Sequence, residues 1–334
     1  MPPVGEAMPI HNPGYLPCTT ARVTSFTRWW TICVTGIVRT LKSTWLKRLL
    51  FAAFLPLLAF AAPFLAFEQS YRDPQIWRGF TAVIKGMPQS AMLSASIGEL
   101  PAWPDSDQFS DIRHGVWSFM LLTMLRYPQS FLIVLIVGIV APPLISQDLR
   151  TRAYLIYFSR PITRLEYILG KVGVVAFFLV VISALPALIL YVVGLLLSPS
   201  LGIFFETWDL PLRVILASIV LVIPTTLVAL AISSLTLESR YAAFAWFAIW
   251  IVGHVTYSAL TAIPSFEAQR MQIEYQPGWR ILTSPYQVLG NVQAYIFGFG
   301  ESVPMAPASF AALLLVSAVS LMILFRRVNA PMRV

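Results

Sequence analysis

Residues 146–171, SQDLRTRAYLIYFSRPITRLEYILGK, decide the fold because they form a short charged turn between two long apolar runs. This turn holds five of the 23 basic residues, in a chain with only 11% charged and 57% hydrophobic residues. A soluble globular domain carries about 25% charged residues. Because segments that cross a bilayer must satisfy their own backbone hydrogen bonds, the composition predicts an all-α polytopic membrane protein.

The apolar runs on both sides of this turn are long enough to cross a bilayer, which takes about 20 helical residues. Six such windows are predicted within a transmembrane domain that extends over residues 47–325. The windows are about 49–67, 129–146, 172–198, 212–234, 241–263 and 306–325. They are separated by the charged loop 147–171 and by two long outer connections, 68–128 and 264–305.

The distribution of charge predicts which way the spans face. With the amino terminus inside, 15 of the 23 basic residues but only four of the 15 acidic ones lie on the inner side. This asymmetry follows the positive-inside rule and predicts that both termini are cytoplasmic, in a multi-pass protein of the cell (inner) membrane. We expect residues 1–25 to be a disordered cytoplasmic tail and residues 326–334 a second tail. Since 48 residues precede the first apolar run, we interpret that run as an anchored helix rather than a cleaved signal peptide.

The segment before the first span is predicted to be an amphipathic interface helix over residues 26–46. One helical face carries bulky side chains, among them Trp29 and Trp30, while Arg39 and Lys42 lie on the opposite face. Paired tryptophans opposite basic residues are typical of a helix that lies in the headgroup region of a membrane. The alternative is a soluble helix that packs on the surface of a partner.

The charged turn itself divides at a proline. Asp148 is expected to open a short helix, where its carboxylate would meet the positive helix end and pair with Arg152 at i+4. Pro161 disfavours helix at the residue before it, and Thr163 and Glu166 then have the spacing of a capping box. The pattern therefore predicts a short cytoplasmic helix, a break and a new helix that becomes the third span. An alternative is that the arginines only set the topology and bind lipid headgroups.

The order of residues in this turn resembles the loop between the second and third spans of ABC-2-type transporter permeases. Six spans, an amphipathic amino-terminal helix and cytoplasmic ends are similar to that family as well. One departure is that many members have a Gly-Thr pair where this chain has Arg152-Ala153. The matching positions are Asp148, Arg150, Tyr154, Ser159, Arg160, Pro161, Arg164, Tyr167, Gly170 and Lys171.

The resemblance implies the permease subunit of an ATP-driven transporter, which in this family is most often an exporter. It also implies a coupling helix in the turn that docks on a separate ATP-binding subunit, with a second permease chain completing the pathway. ATP and Mg would be bound by that partner, and no cofactor by this chain. The implied coupling residues are Asp148, Arg150, Arg152, Tyr154, Ser159, Arg160, Pro161 and Arg164.

The chain contains no phosphate-binding G-x-x-x-x-G-K-[ST] motif, so ATP hydrolysis is not expected of it. Its three histidines lie far apart without a zinc-binding pattern, and no metal site is predicted. His254 is the only ionisable residue well inside a predicted window, and it either lines a pathway or hydrogen-bonds a neighbouring helix. We expect membrane lipid rather than nucleic acid to account for the basic charge.

Two further functions remain open from the residues alone. One is a polytopic membrane enzyme that acts on lipid or isoprenoid substrates, and the other is a non-transporting membrane anchor. In the outer connections, the apolar stretch GVWSFMLLTMLRYP, residues 115–128, is expected to lie on or dip into the outer leaflet. The aromatic residues of 264–305 are expected to form an outer interface belt, although short helices that re-enter the membrane are an alternative.

Overall fold

The computed structural model of the protein describes residues 25–70, 72–104, 106–153, 162–198, 202–271 and 275–329. Within these ranges every regular element is helical. The α-helices are α1 Ser25–Thr40, α2 Thr44–Ala52, α3 Leu55–Ser70, α4 Pro74–Gly86, α5 Ser90–Ile97, α6 Ser106–Pro128, α7 Val134–Val140, α8 Pro142–Arg150, α9 Arg164–Ile182, α10 Ala184–Leu197, α11 Ile203–Thr207, α12 Asp209–Leu235, α13 Ser239–Arg270, α14 Pro285–Ile296 and α15 Ala306–Asn329. A π-helix, Gln129–Ile133, joins α6 to α7, and two 3-10 helices are Gly278–Thr283 and Gly300–Ser302.

Six helical segments of the described residues are long and apolar enough to cross a membrane, as the sequence predicts. Each overlaps one predicted window, and the second is far longer because α6 continues into it. We call them spans 1 to 6 in chain order. They are Thr44–Ser70, Gln108–Arg150, Arg164–Leu197, Ile203–Leu235, Ser239–Ala268 and Ala306–Val328.

Spans 2, 3 and 4 form the centre of the bundle. About half of their most apolar windows is buried (59%, 50% and 56%), against 17%, 11% and 17% for spans 1, 5 and 6. Because six spans are an even number, span 1 begins and span 6 ends at the same end of the bundle. We call this the terminal end and the other the opposite end.

The core at the terminal end includes the amino-terminal helix. Trp29, Ile37 and Leu41 pack with the buried Cys33 against residues of spans 2, 3, 4 and 6. The predicted helix over 26–46 ends at Thr40, and Ser43 caps a new helix by accepting a hydrogen bond from the Leu46 amide (3.5 Å). The apolar face is therefore split between α1, which packs on the bundle, and α2, which begins span 1.

The connection 68–128 is largely structured, and residues 116–126 of its apolar stretch belong to the protein core. In α6 the side chains from Val116 to Arg126 are all buried, and Phe109 stacks on Phe67 of α3 with ring centroids 4.7 Å apart. Helix α4 covers this cluster through Trp77, whose indole donates to the Pro101 carbonyl (3.0 Å). Helix α6 continues directly into span 2, so this stretch packs within the helical bundle, and its expected position on or in the outer leaflet stays a prediction.

The connection 264–305 contains a buried helix, α14. Seven consecutive residues, from Val288 to Ala294, are buried between spans 4 and 6. Gln293 donates to the Ala217 carbonyl and Asn291 donates to Ser309 Oγ, both at 3.2 Å. The exposed aromatic residues of this connection include Trp279, which precedes α14, and Tyr295, which lies in the last turn of α14.

Candidate functional site

The predicted coupling residues near the end of span 2 differ in burial. Asp148 is buried, whereas Arg150, Arg152 and Arg164 are exposed at the terminal end of the bundle. Helix α8 ends at Arg150, and Arg152 adopts a left-handed backbone conformation (φ 54°) in the turn that follows. The remaining predicted residues, Tyr154, Ser159, Arg160 and Pro161, lie outside the described residues.

Asp148 does not open a helix, and this corrects the sequence interpretation. It lies in the last turn of α8, and its carboxylate is directed into the bundle rather than towards Arg152. Lys171 Nζ lies 2.7 Å from Asp148 Oδ2, and the Tyr167 hydroxyl donates to the same oxygen at 2.9 Å. The Lys171 ammonium also lies 5.3 Å from the centre of the Tyr167 ring. Two oppositely charged groups in an apolar bundle need such a partner, because the burial of an isolated charge is very costly.

Helix α9 begins as the sequence predicts. The Thr163 hydroxyl accepts a hydrogen bond from the Glu166 amide (3.3 Å), and the Thr163 amide donates to the Glu166 carboxylate (2.7 Å). This capping box satisfies amide groups that have no partner in the first turn of a helix. The capped start places Tyr167 and Lys171, one turn apart, on the face that meets Asp148.

A second ion pair connects the same end of span 2 to the turn between spans 4 and 5. Arg150 Nη1 lies 3.3 Å from Glu238 Oε2, with Arg240 at 4.0 Å from the same oxygen. Both arginines are largely exposed, so this pair contributes at most about 1 kcal/mol to stability. It nevertheless brings the charged ends of three spans to one surface.

The proline-containing start of α8 is held by a serine of span 4. The Ser233 hydroxyl donates to the Pro142 carbonyl (2.6 Å) and accepts from the amides of Ile145 (3.3 Å) and Ser146 (3.2 Å). Prolines remove backbone donors, and neighbouring helices in a membrane restore the missing partners. Ser233 therefore fixes the direction of α8 relative to span 4.

The predicted interface helix lies along span 3. A Cβ added at Gly170 would meet Ile32 Cγ2 at 2.6 Å and the Trp29 carbonyl oxygen at 3.1 Å, so α1 approaches span 3 at a glycine. Gly173 faces Cys33 in the same way. Trp29 is half-buried in this contact, whereas Trp30, Arg39 and Lys42 are exposed or partly exposed on the remaining faces of the segment.

Burial raises the pKa of the Cys33 thiol in this contact. Helix α1 thus packs against the part of span 3 that carries Lys171.

Sequence reasoning placed Lys171 and Tyr167 in the motif but did not assign them a role, and it missed Ser233 and Glu238. A lysine two turns inside an apolar helix was a signal, because such a charge requires a buried partner. Nothing in the sequence pointed to Ser233. His254, the predicted pathway residue, is exposed on the surface of the bundle.

The opposite end of the bundle holds a second polar network. Arg113 Nε lies 3.4 Å from the buried Glu68 carboxylate, which also accepts from the Trp117 indole (3.0 Å). Nearby, Asp209 lies 3.0 Å from His114 Nε2 and 2.7 Å from Arg213 Nε. These groups join spans 1, 2 and 4. Within the described ranges no three His, Cys, Asp or Glu side chains come together as a metal site would require.

Comparison with known proteins agrees with this arrangement. Residues 37–327 match the family described as ABC-2 family transporter protein, a match that extends from α1 to the end of span 6. A comparison with curated proteins gives no match. The matched region contains all six spans, the charged turn and the Asp148 site, and the chain therefore belongs to the ABC-2 family as a multi-pass permease component of an ABC transporter.

Proposed function

We propose that this permease is part of an exporter and that the turn after Asp148 docks on a separate ATP-binding subunit. The observation that carries the proposal is the buried Asp148–Lys171 pair, because it ties together the two helices on either side of the turn. A protein bound to the turn would act on both helices at once. ATP and Mg would be held by the partner subunit, with both termini of this chain on the cytoplasmic side of the cell membrane.

The contacts around the pair provide a route by which movement would spread. Lys171 lies on span 3, to which α1 is attached through Gly170 and Gly173. Arg150 connects the end of span 2 to the turn after span 4 through Glu238. A displacement of the turn would therefore reach three spans and the amino-terminal helix, which is the requirement for shifting a bundle between two arrangements.

A second permease chain would complete the pathway. Spans 5 and 6 of this chain expose most of their surface, and His254 lies on the exposed side of span 5. In a dimer of two such chains, homomeric or heteromeric, His254 would face the partner or the pathway rather than lipid.

Co-purification tests the proposal. A tagged chain is extracted in mild detergent from its native membranes, and the eluate is assayed for ATP hydrolysis and for a subunit with a G-x-x-x-x-G-K-[ST] motif. We expect both with the wild type and neither with the double variant Arg150→Glu, Arg160→Glu, because the reversed charges would repel an acidic docking surface. A double variant at the opposite end, Arg72→Glu with Arg78→Glu, is the matched control and should retain the ATPase. Loss of the ATPase in both variants, or in neither, contradicts the docking proposal.

A further inference from the structure

Arg126 differs from the other buried basic residues of this chain. Lys171 and Arg113 each lie against a carboxylate, whereas no ion pair to Arg126 occurs among the described residues. Its side chain is only 4% exposed and lies near the end of α6, within span 2. The burial of a cation without a carboxylate partner costs free energy, and charged residues inside membrane-spanning segments usually serve a function.

The groups that contact Arg126 are neutral. Its Nη1 donates to the Gln89 side-chain carbonyl (2.6 Å), and its guanidinium carbon lies 5.1 Å from the centre of the Tyr286 ring. Arg126 Nε has no hydrogen-bond partner among the described residues. A Cβ at Gly290 would overlap the guanidinium, so the glycine leaves the room that this group occupies.

Further polar groups border the same region, and two of them have no partner in the described part of the chain. The Tyr257 hydroxyl on span 5 lies within electrostatic reach of both Arg126 and Tyr275. Tyr275 OH and Ser284 Oγ are buried and, like Arg126 Nε, have no partner in the described part of the chain. Ser284 lies against Gly253, one helical turn before Tyr257. Buried polar groups are nearly always hydrogen-bonded, so several unpaired donors in one region indicate a missing acceptor.

Arg126 lies in the half of span 2 that is nearer the opposite end. It precedes Arg150 by 24 residues, which is at most about 36 Å of straight helix, and the π-helix Gln129–Ile133 and the bend at Ala141 shorten this path. The hydrocarbon core of a bilayer is about 30 Å thick. With Arg150 at one membrane surface, Arg126 therefore lies at or just below the headgroup level of the other.

The backbone is irregular both at Gln89, which contacts Arg126, and in the segment that follows Arg126 along the chain. Gln89, the partner of Nη1, is an exposed residue with φ 66°, a conformation that is uncommon for residues other than glycine. The π-helix Gln129–Ile133 begins three residues after Arg126. Both features are frequent at functional sites. The exposed Gln89 side chain is also the partner that an incoming anion would replace.

We propose that Arg126, with the hydroxyls of Tyr257, Tyr275 and Ser284, binds the anionic headgroup of an amphiphile at the opposite end of the bundle. The guanidinium supplies Nε–H and Nη–H donors in a planar fork that fits a phosphate or carboxylate. The site lies at the other end from the docking turn, so it does not depend on the proposed ATP-binding subunit.

The proposal is tested by ligand-dependent stabilisation of the purified permease in a zwitterionic detergent. Short-chain phosphatidylglycerol, short-chain phosphatidylcholine, dodecanoate and inorganic phosphate are titrated while tryptophan fluorescence follows thermal unfolding, and native mass spectrometry counts bound lipid. We expect phosphatidylglycerol or dodecanoate to raise the Tm and phosphatidylcholine to have no effect. Arg126→Gln should weaken the response at least tenfold, and Arg126→Lys should give an intermediate response because an ammonium cannot form the fork.

Two further variants keep the result interpretable. Tyr257→Phe removes one hydroxyl with little change of shape and should weaken binding severalfold even if Arg126→Gln does not fold. Arg213→Gln removes an arginine that Asp209 already neutralises, and should respond like the wild type. A response to phosphatidylglycerol identifies the ligand as a bilayer lipid, and a response to dodecanoate alone identifies it as a carboxylate amphiphile. A response to inorganic phosphate alone would show that the site binds a free oxyanion instead of an amphiphile. An equal response to phosphatidylcholine, or an unchanged response in both Arg126→Gln and Tyr257→Phe, overturns the proposal.

Discussion

Lys171 and Asp148 form a buried ion pair, with Nζ and Oδ2 2.7 Å apart, between the last turn of α8 and the second turn of α9. The loop joins span 2 to span 3 covalently, and the ion pair joins the same two spans through a side-chain contact. Tyr167 adds a hydrogen bond to the same carboxylate oxygen. The helix ends on either side of the turn are therefore held together by a contact inside the bundle.

Removal of one partner of this pair should destabilise the protein strongly. Lys171→Met leaves the buried Asp148 carboxylate without its cation, and Asp148→Asn leaves the buried Lys171 ammonium without its anion. Each change should lower the free energy of unfolding by about 3–5 kcal/mol. The double variant should lose less than the sum of the two, because no lone charge remains. Thermal unfolding in detergent measures these differences. Arg150→Gln, which breaks an exposed pair, is the control and should cost about 1 kcal/mol or less; single variants as stable as this control would contradict the prediction.

Ser233→Ala should destabilise the junction between span 4 and α8. The variant removes the hydroxyl partner of the Ile145 and Ser146 amides and one of two hydroxyl donors to the Pro142 carbonyl, which keeps its bond from Ser146 Oγ (2.6 Å), at a cost of about 1–3 kcal/mol. Ser234→Ala is the matched control, because within the described ranges Ser234 Oγ bonds only to the Ala231 carbonyl of its own helix (2.7 Å). Hydrogen exchange of the α8 amides should increase in the first variant and not in the second. Equal exchange in both would show that Ser233 does not hold α8.

Cys33 should react slowly with thiol reagents in the folded protein. Burial raises the pKa of its thiol, so the reactive thiolate is scarce at pH 8. In a Cys18→Ser background, alkylation at pH 8 should be at least tenfold slower than after denaturation. Because the folded state favours the protonated thiol, its contribution to stability is complete below the ordinary thiol pKa and is lost as the pH rises through the raised value. Labelling as fast as in the denatured protein would show that α1 does not pack on span 3.

Gly170→Val should detach α1 from span 3. The new side chain would meet Ile32 and also the Trp29 carbonyl, a backbone atom that cannot rotate away. We expect Cys33 alkylation to accelerate in this variant. Gly79→Val is the control, since nothing lies within 4 Å of a Cβ at Gly79. Unchanged labelling of Cys33 in Gly170→Val would place α1 elsewhere.

The proposed orientation predicts which side of the membrane is labelled. Arg160→Cys, in a background without native cysteines, should react with an impermeant maleimide only from the cytoplasmic face. Lys85→Cys, exposed on α4, should react only from the other face. Labelling of Arg160→Cys from the outer face would end the docking proposal, because an ATP-binding subunit could not reach the turn.

Much of the architecture follows from local sequence patterns. Each of the six spans coincides with an apolar run, because a bilayer requires about 20 apolar residues in a helix whatever their neighbours are. The capping box of Thr163 and Glu166 was also predictable, since both partners lie within one turn. The chain belongs to the family that the order of charges in the turn resembles.

The interpretation of Asp148 was wrong because its partner lies across a turn rather than along a helix. A spacing of four residues favoured Arg152, but α8 ends at Arg150 and Arg152 leaves the helical conformation. The burial of residues 116–126 in the protein core likewise needed the tertiary structure. Helix α6 is polar at its start and buries Arg113 and Arg126, so its hydropathy resembles that of a surface segment.

The sequence alone determined the number of spans, the charged turn between the second and third, and the family, because these depend on composition and on short-range order. Only the tertiary structure decided which charges are neutralised. Lys171 pairs with Asp148, and Arg113 pairs with Glu68. Arg126 contacts only neutral groups among the described residues. The physical reason is that an apolar bundle makes every buried charge depend on a partner from another helix, and helix packing rather than sequence spacing selects that partner.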